Sequence, residues 1–230
     1  MKYGLNLVLL FCFLGLHAQA AATDSVLVDV NFRFTDGLYT NAEALRTNQP
    51  NLTFKTLAGN LVVQEEEYIL KVENLYPKGR PDLPVVLQKI DFICLNGLAY
   101  TRAYVDTIRN FTVYAGLRVR GRLCYFAYEQ NQPDTVLIKA YNPMTGIPFR
   151  QQNVIREKPM LTERVLALAT GETSPFDRVN LMRLMADDPA LTKSLESLSI
   201  KEAEKRLQRT LLIYDDRHPI YLPAPSELTN

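Results

Sequence analysis

The sequence predicts an α+β protein in which a predominantly antiparallel, twisted β-sheet carries a short N-terminal helix and a small C-terminal helical segment. Three observations predict this class. An Asn96-Gly97 pair lies between two apolar runs, apolar residues alternate over residues 26–34, and strand signals give way to helix signals near Gly171. Together they place most strands before residue 170 and most helical turns after it.

The Asn96-Gly97 pair predicts a β-hairpin. Both residues tolerate positive φ, which a two-residue type I′ turn requires, so the flanking runs pair in a fixed register. That register sets Leu95 opposite Leu98, Cys94 opposite Ala99, Ile93 opposite Tyr100, Phe92 opposite Thr101 and Asp91 opposite Arg102. The last pair is oppositely charged, which favours the pairing. A third strand is predicted over residues 111–128, with bends or bulges at Gly116 and Gly121.

The N-terminal segment predicts export. Lys2 precedes an apolar run at residues 7–16, and Ala18-Gln19-Ala20 has small residues where a signal peptidase reads, so residues 1–20 are predicted to be a signal peptide. The run is about ten residues, against the roughly 20 of a membrane-spanning helix. No second such run follows, so no transmembrane helix is expected after processing. A lipid anchor at Cys12 is the lesser alternative, because Phe11 precedes it where a small residue is needed.

The charge balance argues against a nucleic-acid partner. Removal of residues 1–20 removes Lys2, which leaves 25 basic residues against 25 acidic ones. A neutral chain has no general attraction to phosphate backbones, and no run of Lys or Arg indicates binding to a membrane surface. The remaining length fits one domain with a small appendage. We expect a β-rich domain at 21–170, a helical segment packed on the sheet at 171–223 and a flexible tail at 224–230.

Cys94 and Cys124 are the cysteines that remain after processing. An even number in an exported chain permits a disulfide, and both lie in the β-rich stretch. The alternative is that they are two small buried side chains that never meet.

The elements follow in order from local patterns. Residues 26–34 alternate as a strand with one buried face. Thr40 and Glu43 form a capping box that begins a short helix, which ends before Pro50. Short strands are expected at 52–57, 61–64, 68–72 and 136–141, a loop at 77–84, turns at 130–134 and 142–146, and irregular chain at 149–162. The glutamates at 65–67 indicate a solvated turn rather than a calcium site.

Helix signals dominate the C-terminal part. Asp188 is a predicted N-cap with Pro189 at the first helical position, and Ser199 with Glu202 forms a capping box that opens a longer helix. After that helix, Ile220-Tyr221-Leu222 is an apolar run between prolines. We expect it to return to the sheet, with Tyr221 as its main anchor.

Two sets of motifs resemble an uncharacterised family of exported proteins of Gram-negative bacteria. One is Asp36-Gly37-Leu38-Tyr39-Thr40, followed by a short helix ending in Asn48-Gln49-Pro50. The other is Asp187-Asp188-Pro189 together with Arg217-His218-Pro219-Ile220-Tyr221-Leu222-Pro223. The resemblance spans most of the mature chain and implies export and this fold class. The family has no assigned activity, so it implies no catalytic or binding residue.

The residues that usually carry catalysis are sparse. His218 is the single histidine after processing, and its place between Arg217 and Pro219 suits a structural residue better than a general base. The cysteines and the histidine lack zinc-site spacing, and the glycines at 116 and 121 interrupt strands instead of opening a helix around phosphate. No catalytic residue, metal site or cofactor is therefore predicted.

An aromatic and basic surface is the predicted binding site. Its residues lie in adjacent predicted strands, and Arg118, Arg120 and Arg122 share one strand face by their period-2 spacing. Arg and Tyr are frequent in binding hot spots, although an ordinary solvated sheet face would have the same pattern. The candidate binding residues are Tyr100, Arg102, Tyr104, Arg118, Arg120 and Arg122.

Two functions are consistent with these features. The first is an exported, noncatalytic binding or envelope-associated module in the periplasm or outside the cell, whose partner is a protein or an envelope component. The alternative is a hydrolase that uses carboxylates in a cleft near the loop at 77–84, which predicts clustered carboxylates in a concave pocket.

Overall fold

The computed structural model describes residues 25–225. The predicted signal peptide lies outside the described residues, as does most of the predicted tail. Antiparallel strands dominate the described chain, and four α-helices accompany them. No helix in residues 25–225 is both long and apolar enough to cross a membrane.

Six strands form the larger sheet, in the order β2-β5-β6-β7-β4-β3, with every neighbouring pair antiparallel. They are β2 (Gly37–Tyr39), β3 (Leu57–Gln64), β4 (Ile69–Pro77), β5 (Phe92–Leu95), β6 (Leu98–Asp106) and β7 (Phe111–Gly116). The hairpin predicted at Asn96-Gly97 is confirmed, since β5 and β6 pair in the expected register and both turn residues have positive φ. Arg102 also pairs with Asp91, at 3.1 Å.

A second sheet contains the two longest strands. It has the order β10-β9-β8 and comprises β8 (Leu123–Tyr141), β9 (Pro148–Ala167) and β10 (Glu172–Pro175). The predicted turn at 130–134 and irregular chain at 149–162 were wrong, because both stretches belong to one continuous hairpin. Much of this hairpin is exposed on both faces, so its strands lack the alternation that a half-buried strand shows.

Four α-helices complete the described chain: α1 (Ala42–Arg46), α2 (Arg178–Leu184), α3 (Pro189–Glu196) and α4 (Ile200–Arg217). The predicted caps of the last two are confirmed, with Asp188 capping α3 and Ser199 and Glu202 forming the capping box of α4. The box predicted at Thr40 was wrong. Asn41 caps α1 through its side chain, while Thr40 bonds to Asn51.

The two ends of the described chain pair with each other. β1 (Ser25–Leu27) and β11 (Tyr221–Pro223) form a two-stranded antiparallel sheet. The strand predicted over 26–34 stops early, because Asp29 accepts hydrogen bonds from the backbone of Asn31 and Phe32 and turns the chain there. In β11 the anchor is Leu222, which is 4% exposed, whereas Tyr221 is 58% exposed. The prediction that Tyr221 anchors the tail was therefore wrong.

The core has three layers of side chains. Successive residues of β8 point to opposite faces. Cys124, Phe126 and Tyr128 pack between the two sheets, and Leu123 and Tyr125 pack against the helices. A third cluster covers the outer face of the six-stranded sheet beneath residues 85–90. The second sheet is thus buried on both faces near the root of its long hairpin.

Candidate functional site

The most distinctive surface is the outer part of the β8–β9 hairpin, residues 129–161, which we call the arm. Thirteen register pairs, from Glu129 opposite Leu161 to Tyr141 opposite Pro148, make up this part. At about 3.3 Å per residue the arm is about 40 Å long. Burial along β9 ends at Val165, and the arm side of that strand is exposed almost throughout. The arm is a two-stranded ribbon projecting from the body.

The arm exposes large apolar side chains on both strands. These include Leu137, Ile138, Val154, Ile155, Met160 and Leu161 along its length and Tyr141, Met144, Ile147 and Phe149 at its end. Met144 is 93% exposed and Phe149 is 72% exposed. Single exposed apolar residues are ordinary, but ten large ones within the 33 residues of the arm are a concentration that indicates a contact site for another molecule.

A cleft opens at the root of the arm, where the two sheets diverge. Its volume is about 840 Å³. One wall is the six-stranded sheet, with Ile69, Lys71 and Val113, and the other is the arm root, with Tyr128 and Pro159. Five carboxylates also line it: Glu66, Glu67, Asp106, Glu129 and Glu157. Tyr104 spans the cleft by donating a hydrogen bond from its hydroxyl to the Glu129 carbonyl, at 3.2 Å.

The predicted aromatic and basic surface does not form one strand face. Tyr100 is buried beneath the six-stranded sheet, and Arg102 pairs with Asp91 beside it. Tyr104 lies in the cleft. Arg118, Arg120 and Arg122 lie in the connection between β7 and β8 rather than in a strand. Period-2 spacing predicts a shared face only if the strand continues, and this one ends at Gly116.

Each of these three arginines has its own structural partner. Arg118 lies over the Tyr68 ring and donates to the Glu67 carbonyl, at the edge of the cleft. The half-buried Arg120 donates to the Phe32 carbonyl at 2.7 Å. Arg122 pairs with Asp187 at 2.9 Å and lies over the Tyr214 ring. Of the six candidate binding residues, Tyr104 and Arg118 line the cleft.

Asp215 fixes the beginning of β8. Its Oδ1 accepts a hydrogen bond from the Leu123 backbone N–H at 2.9 Å, while Oδ2 is buried and has no hydrogen-bond partner within residues 25–225. Burial raises the pKa of this carboxyl to about 7. A Cβ at Gly121 would collide with the Asp215 carboxylate, so glycine is needed there for the close approach.

His218 has a structural environment. Its Nε2 lies 3.4 Å from Asp188 Oδ2, its ring packs on Tyr214, and Arg217 also pairs with Asp188. The backbone N–H of Leu191, followed by Arg217 and His218, holds the Asp188 pKa below its usual value. These contacts tie the end of α4 to the start of α3 and support the prediction that His218 is structural.

The two cysteines do not form the disulfide that the sequence permits. Cys94 and Cys124 are both free and buried. Cys94 lies in β5 of the first sheet and Cys124 in β8 of the second, within the core layer between them. Burial raises the pKa of the Cys124 thiol to about 12 and that of Cys94 well above its usual value, which makes both poor nucleophiles. Across the described residues, no group of three or more His, Cys, Asp or Glu side chains could hold a metal ion.

Sequence reasoning missed the arm. Its signal was present at the turn, where Tyr141, Met144, Ile147 and Phe149 are apolar in a stretch interrupted by two prolines. Comparison with known proteins adds no further assignment, because no family model, no curated protein and no solved structure matches this chain.

Proposed function

We propose that this protein is an exported, noncatalytic binding module that docks through the arm of the β8–β9 hairpin. The observation that carries the proposal is the arm itself, a ribbon about 40 Å long with apolar side chains on both strands. Within residues 25–225, no third strand pairs with it. An isolated two-stranded ribbon is only marginally stable in water. Such a ribbon adds little to the stability of the free protein, so we infer that its role is the contact it makes with another molecule.

The edges of the arm favour docking through its side chains. They hinder the pairing of another strand with the middle of the arm. Pro133 in β8 lies opposite Glu157, and Pro159 in β9 lies opposite Asn131. Proline has no backbone N–H, and its presence at a strand edge discourages another chain from pairing there. The apolar side chains further out remain available.

Photocrosslinking in the native cell envelope tests this function. We expect a benzoylphenylalanine placed at Met144 or Phe149 to give protein or lipid adducts, because both side chains are exposed at the end of the arm. Val179 on α2 is equally accessible on the body and is the control position. Adduct yields from the arm no higher than those from position 179 would reject the arm as the docking element.

The exported location rests on residues 1–20 as a signal peptide. It predicts that protein recovered from the native cell lacks these residues and is found in the periplasmic or extracellular fraction. Sequencing of the N-terminus checks this. Full-length protein confined to the cytoplasm would contradict it.

A hydrolase is the second candidate, and the carboxylates of the cleft favour it. The cleft lies at the arm root rather than at the loop over residues 77–84 where it was expected. Two of its carboxylates have evident structural partners, since Asp106 accepts from the backbone of Ile108 and Arg109 and Glu157 pairs with Asn131. A glycosidase or peptidase assay, with a Glu66→Gln, Glu129→Gln double variant as control, tests whether the protein is a hydrolase. Hydrolysis lost in that variant would support it over the binding module.

A further inference from the structure

The end of the arm, residues 139–150, differs from the rest of the ribbon, and we call it the tip. Tyr141, Met144, Ile147 and Phe149 are all exposed there, on both strands and on the turn between them. A flat protein partner would cover one side of such a ribbon. A bilayer, in contrast, surrounds an inserted tip and covers all of its sides.

We propose that the tip is a membrane anchor that inserts into the interface of a bilayer containing anionic lipid. This inference rests on the proposed docking function of the arm and names its partner. Insertion would bury the four apolar side chains, with Tyr141 and Phe149 at the depth where aromatic rings favour the membrane interface.

The charges around the tip suit an anionic surface. Lys139 and Arg150 are the charged residues between 135 and 155, and no acidic residue occurs in that range. Arg150 lies opposite Ala140 and Lys139 lies opposite Gln151, so the two cations lie on neighbouring strands and on opposite faces of the ribbon, just behind the apolar end. Cations in this position attract anionic headgroups while the apolar side chains insert. A search for Lys or Arg runs along the sequence does not detect two cations that lie on neighbouring strands.

The backbone of the turn is also prepared for a poorly hydrated environment. Two of the seven residues from 142 to 148 are prolines, which have no N–H. Four of the other N–H groups have acceptors inside the turn. Asn142 donates to the Ile147 carbonyl, Gly146 to the Asn142 carbonyl, Met144 to the Asn142 side chain and Ile147 to the Thr145 hydroxyl. Unsatisfied backbone groups are costly in lipid, so this internal bonding lowers the cost of insertion.

The chain's lack of tryptophan allows a direct test. A Met144→Trp variant has one tryptophan, placed at the tip, and Ile155→Trp places one midway along the arm. Vesicles of phosphatidylethanolamine and phosphatidylglycerol should shift the emission of M144W to shorter wavelength and protect it from a soluble quencher. I155W should not change, and vesicles of phosphatidylcholine alone should give a smaller shift for M144W.

Two substitutions to aspartate, one at the tip and one midway along the arm, test the same inference by vesicle binding. Phe149 and Ile155 are both 72% exposed and both lie on β9, so F149D and I155D make the same change at matched sites. F149D should reduce sedimentation with the anionic vesicles by about tenfold or more, because apolar burial sets interfacial affinity. I155D should sediment as the unmodified protein does. Both variants should melt at the temperature of the unmodified protein, which will show that neither change unfolds it.

Three outcomes would overturn the membrane anchor. M144W emission unaffected by vesicles would exclude insertion, and equal shifts in M144W and I155W would show contact along the whole arm rather than at the tip. A shift without vesicles that grows with protein concentration would identify a second copy of this chain as the partner. If vesicles have no effect but arm crosslinking yields protein adducts, the docking function stands and the membrane inference fails. If neither experiment gives a signal, both fail.

Discussion

Asp215 is a buried carboxylate that links α4 to the first residue of the long hairpin. Its pKa of about 7 lies above the 3.8 of an unperturbed aspartate, chiefly because of burial. The folded state therefore holds a proton that the unfolded state has released between those two values. Linkage then requires stability to fall as the pH rises from about 4 towards 7.

We predict that Asp215→Asn removes this pH dependence. The amide still accepts from the Leu123 N–H but cannot ionise, so the free energy of unfolding should lose a slope of up to about 1.4 kcal/mol per pH unit. Urea denaturation of both proteins at pH 5 and pH 7 measures the difference. Parallel pH profiles for D215N and the unmodified protein would contradict the burial of an ionisable Asp215.

Gly121 and the neighbouring arginines show where local sequence reasoning stops at single residues. Gly121 was expected to bend a strand, but its need for glycine comes from the Asp215 carboxylate, which approaches from a helix far along the chain. Arg118, Arg120 and Arg122 have partners in three separate connecting segments, at Glu67, Phe32 and Asp187. Such partners are set by tertiary contacts, which spacing along one segment does not contain.

The tail is the element that closes the described chain on itself. β11 pairs with β1, Leu222 enters the core between the sheets, and the Asn48 side chain donates to the Pro223 carbonyl at 3.0 Å. Leu222→Ala should cost about 2 to 5 kcal/mol of unfolding free energy, as other buried leucine truncations do. Its neighbour Tyr221 is exposed, so Tyr221→Ala should change the unfolding free energy by about 0.5 kcal/mol or less.

Two truncations extend this comparison. Removal of residues 217–230 should lower the melting temperature strongly, while removal of residues 224–230 should leave it nearly unchanged. Equal melting temperatures for the two truncated proteins would show that β11 adds nothing to stability.

The arm is expected to be separable from the body. Replacing residues 131–159 by Asn-Gly would close the hairpin one register pair beyond Glu129, using the turn that β5 and β6 already use. The removed side chains are mostly exposed, so the melting temperature should change by only about 2 °C or less, while sedimentation with the anionic vesicles should be lost. Scanning calorimetry measures the first effect. A large fall in melting temperature would show that the arm is part of the folding core.

Elements with strong local signals were predicted well, and elements stabilised by their surroundings were not. The β5–β6 hairpin and the caps of α3 and α4 each depend on residues within a few positions of one another. The arm, by contrast, alternates poorly because both of its faces meet solvent. The first strand was overextended because the Asp29 turn interrupts an otherwise regular alternation. The predicted shared strand face of Arg118, Arg120 and Arg122 was wrong for a different reason, since it depended on a strand continuing past Gly116.

At the scale of the molecule, β8 and β9 join the layers of the core. One face of their root packs against the six-stranded sheet and the other against α2, α3 and α4. Composition predicted a boundary between the β-rich domain and the helical segment at residues 170 and 171. Elements on the two sides of that boundary share buried side chains. Units that share a core in this way are expected to unfold together.

We therefore predict a single cooperative unfolding transition for the described chain. Leu211 of α4 is fully buried in the helical layer, and Ile93 of β5 is fully buried beneath the far face of the six-stranded sheet. Leu211→Ala and Ile93→Ala should each lower the unfolding free energy by about 2 to 5 kcal/mol. In both variants the far-UV signal of the helices and the near-UV signal of the tyrosines should move to the same new midpoint. Leu212→Ala is the matched control, because Leu212 follows Leu211 on α4 and is exposed, so its midpoint should not move. A Leu211→Ala variant in which the helical signal is lost before the tyrosine signal would show instead that the helical segment is an independent unit.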